Sequence, residues 1–188
     1  SNITAPPAVI ITGQNTLSLA EDTSLTLQIN NFMFSETPEL ITVQSGQNYA
    51  IANNTITPTT NFIGTLSVNV VATLNGQTSN VFIASVTVTP VNDAPIAIED
   101  IAIVTQNSSN NVVAVLANDM DVDSGDTLTV ISTQASAGGT ATIVPTGINY
   151  TPAAGFVGIE TISYTISDGT AQASTTLTIT VEELMPNI

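Results

Sequence analysis

The chain repeats itself at an interval of about 94 residues, and this repeat limits the folds that it can adopt. Three residues of the first copy recur 94 positions later in the second: Pro58 as Pro152, Phe62 as Phe156 and Gly64 as Gly158. Self-similarity at one fixed period indicates tandem structural units. We therefore predict two domains, residues 1–91 and residues 92–188.

Each copy alternates apolar and polar residues over short segments, which is the pattern of half-buried β-strands. In the segment IETISYTIS, for example, Ile162, Tyr164 and Ile166 share one face. No 3.6-residue period continues for ten residues. The pattern predicts an all-β fold of two tandem immunoglobulin-like sandwiches with about seven strands each. In the second copy the predicted strands span residues 101–105, 111–117, 127–134, 139–144, 147–151, 159–167 and 171–182.

Turn residues mark the hairpins and the junction between the copies. Asn75-Gly76 and Asp168-Gly169 are dipeptides that favour two-residue hairpin turns. Between the copies, Pro90 and Pro95 bracket a short segment, and because proline restricts both its own φ and the preceding residue, we expect a restrained linker.

All 15 charged residues are acidic, and the missing residue types exclude many functions. Without histidine or cysteine the chain lacks the usual zinc ligands and an imidazole base. Without lysine or arginine it cannot neutralise phosphates, so no nucleic-acid partner is expected. Membrane insertion is not expected either, because no segment approaches the roughly 18 apolar residues of a span. Nor do we expect an enzyme: a hydrolase with two carboxylates remains as a class, but no acid and nucleophile pair is marked.

Four aspartates crowd into the segment NDMDVDSGDTL: Asp119, Asp121, Asp123 and Asp126. Two like charges about 4 Å apart repel by roughly 1 kcal/mol in water, and by about 4 kcal/mol at an effective dielectric constant near 20. The chain has no basic side chain to relieve this repulsion. A calcium ion would do so, since it accepts many oxygen ligands in irregular geometry. The alternative is a solvated acidic turn.

The spacing of these aspartates does not match an EF-hand loop, because Ser124 and Val130 stand where that loop has glycine and glutamate. Other segments must therefore complete a calcium site. The strand order of a seven-stranded sandwich places residues 118–126, Asp168 and the linker at one end of the second domain. Asn92 and Asp93 carry the oxygen ligands of that linker.

The first domain carries Glu21 and Asp22 in the turn that we expect to face the junction, so calcium would link the two domains. Each part of this predicted site has an alternative interpretation. Asn92-Asp93 would form an Asx-turn that only shapes the linker. Asp168 would only shape its hairpin, and Glu21 and Asp22 would be an ordinary polar turn. A role at the junction with a following repeat stays open as one alternative for Glu160, Glu182 and Glu183.

The segments VNDAP, VLANDMDVDSGDTLTV, YTPAAGFVG and YTISDG resemble the bacterial cadherin-like tandem repeats of large surface adhesins and other long exported proteins. The resemblance covers the second domain almost end to end. The first domain is similar at LAEDTSLTL and ITPTTNFIG, but its acidic loop is degenerate and retains only Glu36 and Glu39. The resemblance implies calcium-binding, cadherin-like sandwiches at the bacterial cell surface. It implies the ligands Glu21, Asn92, Asp93, Asp121, Asp123 and Asp168, to which local spacing alone adds Asp100 and Asp119, and the cluster itself adds Asp126.

The resemblance implies an extracellular extender, or stalk, in which calcium stiffens the junctions and neighbouring repeats of the same chain are the partners. The alternative is an adhesive module that binds carbohydrate, peptide or a second copy of itself through a calcium-containing surface. Exposed aromatic residues around an acidic pocket would favour adhesion. A surface of threonine, serine and asparagine favours the extender, and this composition predominates in the sequence.

Overall fold

The structure is a computed structural model that describes residues 9–184. It divides into two compact units, unit 1 ending at Val91 and unit 2 beginning at Asn92. Both are β-sandwiches, which confirms the predicted all-β, immunoglobulin- and cadherin-like fold class. Within residues 9–184 the helical structure consists of two three-residue 3-10 turns, Ile29–Asn31 and Val115–Ala117, and no helix is long and apolar enough to cross a membrane.

Unit 1 has ten short strands in its described part. Its larger sheet has the order β2-β10-β8-β5, with β9 paired to β8, and a second sheet has the order β3-β7-β6. Strand β1 pairs with β4, and β2 runs parallel to β10. The strands are β1 (Ile11–Gln14), β2 (Leu17–Ala20), β3 (Leu25–Thr26), β4 (Phe32–Phe34), β5 (Leu40–Val43), β6 (Tyr49–Ala52), β7 (Thr55–Pro58), β8 (Gly64–Leu74), β9 (Gln77–Thr78) and β10 (Phe82–Thr89).

Unit 2 has seven strands in its described part, in two sheets of order β11-β17-β16-β13 and β12-β15-β14. The first strand, β11, runs parallel to the last, β17, as β2 runs parallel to β10 in unit 1. The strands are β11 (Asp100–Thr105), β12 (Asn111–Val113), β13 (Thr129–Ala135), β14 (Thr140–Val144), β15 (Gly147–Thr151), β16 (Gly158–Ser167) and β17 (Gln172–Glu182).

Unit 1 has more strands than the predicted seven because single strands of the sandwich are broken into two. Its first strand divides into β1 and β2, which pair with different strands. The 3-10 turn Ile29–Asn31 separates β3 from β4. In unit 2 the predicted strand over residues 111–117 ends at Val113 for a similar reason, since Val115–Ala117 forms a 3-10 turn.

Period-two alternation correctly identified the core of each unit. Leu66, Val68 and Val70 of β8 are at most 1% exposed. In β16, Ile162 and Ile166 are fully buried as well. Complete burial of one such side chain contributes about 1.5–3 kcal/mol, so these two central strands hold much of the stability of their units.

A tyrosine in unit 1 holds the loop between β5 and β6. The Tyr49 hydroxyl donates to the Gln44 carbonyl oxygen at 2.7 Å. Gly46 lies against the tyrosine ring so closely that a Cβ atom there would be 2.6 Å from Cε1 of Tyr49. Glycine is therefore required at this position by the close approach of the ring.

Unit 2 holds the corresponding loop, between β13 and β14, with a buried carboxylate. Glu160 is fully buried, which excludes the alternative that it serves a junction with a following repeat. It accepts hydrogen bonds from the backbone N–H groups of Ala137, at 2.7 Å, and Gly139, at 3.2 Å. The Tyr150 hydroxyl donates to its other oxygen. Burial first, and then this hydrogen bond, raise the pKa of Tyr150. Glu160 thus belongs to the interior of unit 2.

Candidate metal centre

Three carboxylates converge at one end of unit 2. Asp121 and Asp126 lie in the loop before β13, and Asp168 follows β16 directly. One carboxylate oxygen of each lies within 4.8 Å of the other two. Because the chain contains no lysine, arginine or histidine, no side chain of its own can place a positive charge among them.

Asp121 provides the observation that tests whether this group fits a cation. Its Oδ1 atom accepts a hydrogen bond from the Asp123 N–H at 2.9 Å. Its Oδ2 atom is buried and has no hydrogen-bond partner within the described structure. Leaving a buried acceptor unsatisfied costs about 1–3 kcal/mol, and more when it is charged. A hard cation that takes oxygen ligands would satisfy this atom, so the residues present fit calcium.

Asp168 is held in place by its own turn. Its Oδ1 atom accepts the N–H groups of Thr170 and Ala171, both at 2.6 Å, and its Oδ2 atom accepts Nδ2 of Asn92 at 2.9 Å. The bond from Asn92, followed by the two backbone bonds, lowers the pKa of Asp168. The carboxylate is therefore ionised and fixed in direction.

These bonds also change the predicted turn. Asn75 and Gly76 have φ of 51° and 71° and form the expected two-residue turn between β8 and β9. After β16, by contrast, Ser167 pairs with Gln172, so the loop has four residues and only Gly169, at φ 105°, is left-handed in it. The prediction of a two-residue turn here was wrong. In the longer loop the N–H groups of Thr170 and Ala171 bond to the Asp168 side chain instead of to a backbone carbonyl oxygen.

Asp126 shows the electrostatic strain of the group. It is exposed. Desolvation, and then repulsion from Asp121, Asp123 and Asp168, raise its pKa. Hydrogen bonding lowers the pKa of Asp168, whereas desolvation and repulsion from like charges raise the pKa of Asp126. A bound cation would relieve this repulsion.

The segment that enters unit 2 is tied to the same loops. Asn92 donates to Asp168 and also, at 2.6 Å, to the Asp93 carbonyl oxygen. The Asp93 N–H donates to Oδ2 of Asp123 at 2.7 Å. Asn92, Asp93 and Asp123 are therefore brought to the Asp121 group, with the Asp123 carboxylate engaged on the backbone.

Asp100 and Asp119 form a separate group with a tyrosine. The Asp119 Oδ1 atom accepts the Ile98 N–H at 2.7 Å, while its Oδ2 atom is buried and has no hydrogen-bond partner in the described structure. The Tyr164 hydroxyl donates to Oδ2 of Asp100 at 2.6 Å. Burial, and then repulsion from Asp100, raise the pKa of Asp119. The structure thus divides the predicted ligands of unit 2 into two sets.

Tyr164 was not predicted to touch these acids. Alternation placed its ring in the core, where it is 1% exposed, but gave no information on its hydroxyl. That hydroxyl reaches Asp100 and, at 3.2 Å, the Ile98 carbonyl oxygen. Burial first, then the hydrogen bond to Asp100 and the nearby charges, raise the pKa of Tyr164.

Glu21 lies in unit 1, at the point where the chain leaves that unit. It is 3% exposed, and its Oε1 atom accepts the Val91 N–H at 2.7 Å. Its own N–H donates to the Thr89 carbonyl oxygen. Asp22 beside it is exposed and accepts the Asn61 N–H at 3.1 Å. Glu21 therefore holds the last residue of unit 1.

Residues 92–182, almost the whole of unit 2, match the family model of the bacterial Ig domain. Unit 2 is similar to the bacterial Ig domain. This confirms the predicted resemblance to bacterial cadherin-like repeats, and the match ends where β17 ends. Comparison with curated proteins finds no relative of the chain.

Solved structures similar to the chain include two-repeat cadherin fragments. Human protocadherin-24 EC1-2 is 16% identical, with a TM-score of 0.55 over 95% of this chain and 99% of that one. Human mucin-like protocadherin EC1-2 is 17% identical, with a TM-score of 0.52 over 94% and 98%. An endo-fucoidan hydrolase of glycoside hydrolase family 107 aligns over only 30% of its own length, at a TM-score of 0.40. At these identities the cadherin matches show the fold alone: both units have the cadherin-like sandwich fold.

Proposed function

We propose that the chain is an extracellular extender module of a bacterial surface protein, and that calcium stiffens it where the chain passes from unit 1 to unit 2. The observation that carries this proposal is the Asp121, Asp126 and Asp168 group, with oxygens within 4.8 Å of one another and a buried Asp121 oxygen that lacks a donor. Bound calcium would supply the positive charge that the chain lacks. A non-enzymatic, structural role agrees with the absence of histidine, cysteine and lysine from the sequence.

The linker contacts give the proposed calcium a mechanical effect. Asn92 and Asp93 are bonded to Asp168 and Asp123, so a cation that orders these carboxylates also orders the first residues of unit 2. Glu21 holds the N–H of Val91, the residue before Asn92. We include Glu21 in the proposal because it would carry the same restraint into unit 1. Extracellular calcium modules bind in the range of about 10⁻⁴–10⁻³ M, which suits a protein outside the cell.

The separate group of Asp100 and Asp119 is included in the proposal as a second oxygen cluster. The buried Oδ2 atom of Asp119 lacks a donor in the described structure, as the Oδ2 atom of Asp121 does. Asp119 and Asp121 belong to different groups but lie in the same loop. A single conformation of that loop therefore positions the carboxylates of both groups. Neighbouring repeats of the same chain are the partners that an extender needs.

Small-angle X-ray scattering of the whole chain tests the mechanical part of the proposal. We expect the distances between the two units to have a narrower spread in millimolar calcium than in chelator. The D121N/D126N variant should give the chelator profile in both buffers. The matched control, E36Q/E39Q, removes two exposed acids of unit 1 and should respond to calcium like the unchanged chain. Superimposable profiles with and without calcium would contradict a stiffening role, even if calcium binds.

A further inference from the structure

The first and last strands of each unit are parallel neighbours, so tension on the chain acts along the ladder that joins them. In unit 2, β11 and β17 pair over six consecutive residues, from Asp100 with Leu177 to Thr105 with Glu182. Pulling the chain at both ends draws β11 towards its start and β17 towards its end, and these directions are opposite for parallel strands. The evenly spaced bonds of this ladder therefore bear the load together instead of opening one by one.

The described part of unit 1 has no continuous ladder of this length, because its first strand is divided. Strand β1 pairs with β4 over Ile11–Gln14, and β2 pairs with β10 only from Leu17 to Ala20. Asn15 and Thr16 lie between the two pieces. Without a further connection, tension at the start of unit 1 would load the β1–β4 ladder first and the β2–β10 ladder afterwards.

The side chain of Gln14 supplies a connection between these two ladders. Its Nε2 atom donates to the Ser85 carbonyl oxygen and its Oε1 atom accepts the Ser85 N–H, both at 2.7 Å. Nε2 also donates to the Asn15 carbonyl oxygen at 3.2 Å. Because backbone donors and acceptors surround it, the amide has one orientation only. Ser85 directly precedes Val86, the first residue of β10 that pairs with β2, so the amide continues that ladder by one position.

We propose that Gln14 is a tension-bearing clasp, which makes the two short ladders of unit 1 resist extension together. The backbone of Gln14 pairs with Phe32 of β4, while its side chain holds β10 through Ser85. A pull on β1 is thus shared between β4 and the last strand of the unit. Unit 2 needs no clasp, because β11 continues without a break. This inference rests on the proposed extender function, since an extender is a module that carries tension.

Constant-force unfolding of the whole chain, held by its two ends in chelator, tests the clasp. About ten glycine and serine residues inserted between Asn75 and Gly76, which are exposed, mark unit 1 by adding about 35 Å to its unfolding extension. In this marked chain Q14A should raise the unfolding rate of unit 1 about tenfold, since both hydrogen bonds to Ser85 are lost. Q14E should raise the rate as well, because a carboxylate cannot donate to the Ser85 carbonyl oxygen. The matched control Q77A removes an exposed glutamine of β9, which pairs with β8, and should leave the rate unchanged.

Unfolding in urea without applied force, followed by the NMR signals of unit 1, separates a clasp from an ordinary stabilising contact. There Q14A should raise the unfolding rate much less, because a chain that is not pulled can open first at other strands. Equal increases in the two measurements would make Gln14 a general stabilising residue and would overturn the proposal. An unfolding rate under force that Q14A leaves unchanged would overturn it too. Both measurements are made in chelator, so a chain that calcium does not stiffen would refute the proposed function without altering either result.

Discussion

We expect saturating calcium to raise the thermal unfolding temperature of unit 2 by roughly 10 °C or more. A ligand at 100 times its Kd that binds only the folded state adds about 2.7 kcal/mol to the free energy of unfolding. For a domain of this size each kcal/mol corresponds to about 4–8 °C. Differential scanning calorimetry of the whole chain, in calcium and in chelator, measures the shift.

Variants identify the residues behind this shift. We choose D121N/D126N rather than a change at Asp123 because Asp121 and Asp126 belong to the convergent group and Asp123 does not. This double variant should lose most of the calcium response. The E36Q/E39Q control should keep it. Equal calcium shifts in D121N/D126N and in the unchanged chain would mean that calcium, if bound, is held elsewhere.

The second large effect is expected at Glu160. E160A should lower the free energy of unfolding of unit 2 by roughly 3–5 kcal/mol, because two backbone N–H groups and the Tyr150 hydroxyl lose their buried acceptor. E160Q should cost less, since its side-chain oxygen can still accept from Ala137 and Gly139. Urea denaturation measures the loss, and hydrogen exchange at residues 137 and 139 reports whether the loop is released.

Unit 1 supplies the matched comparison for this buried pair. Ile56 and Leu66 stand 94 positions before Tyr150 and Glu160, and both are buried. Replacing a buried polar pair by apolar residues is often close to neutral, whereas removing one partner is costly. Y150I/E160L should therefore lose less stability than the sum of its single variants. Additive losses, or an E160A variant as stable as the exposed-site control E183A, would contradict the role assigned to Glu160.

The sequence predicted the fold well because the fold depends on periodic burial. Alternation in β16 placed Ile162 and Ile166 in the core, and the repeat placed the same plan in both copies. The breaks in strands were not predicted. The 3-10 turns and the division of β1 from β2 depend on which strand each short segment pairs with. Tertiary contacts determine that pairing, and the local sequence pattern does not.

The candidate site was predicted in outline only. Strand order correctly brought Asp168 and the 118–126 loop to one end of unit 2, because adjacent hairpins of a sandwich open at the same end. Side-chain direction within that loop was not readable, so the separation of Asp119 from Asp121 was missed. At Glu160 the alternation with Ile162 indicates an inward position, and the residue is buried there.

The most direct test of the central claim is a crystal structure of the whole chain grown in calcium, with anomalous diffraction data collected to distinguish calcium from water. Our account predicts an anomalous difference peak among the carboxylate oxygens of Asp121, Asp126 and Asp168. Ordered water at that position, with no anomalous signal in saturating calcium, would contradict it.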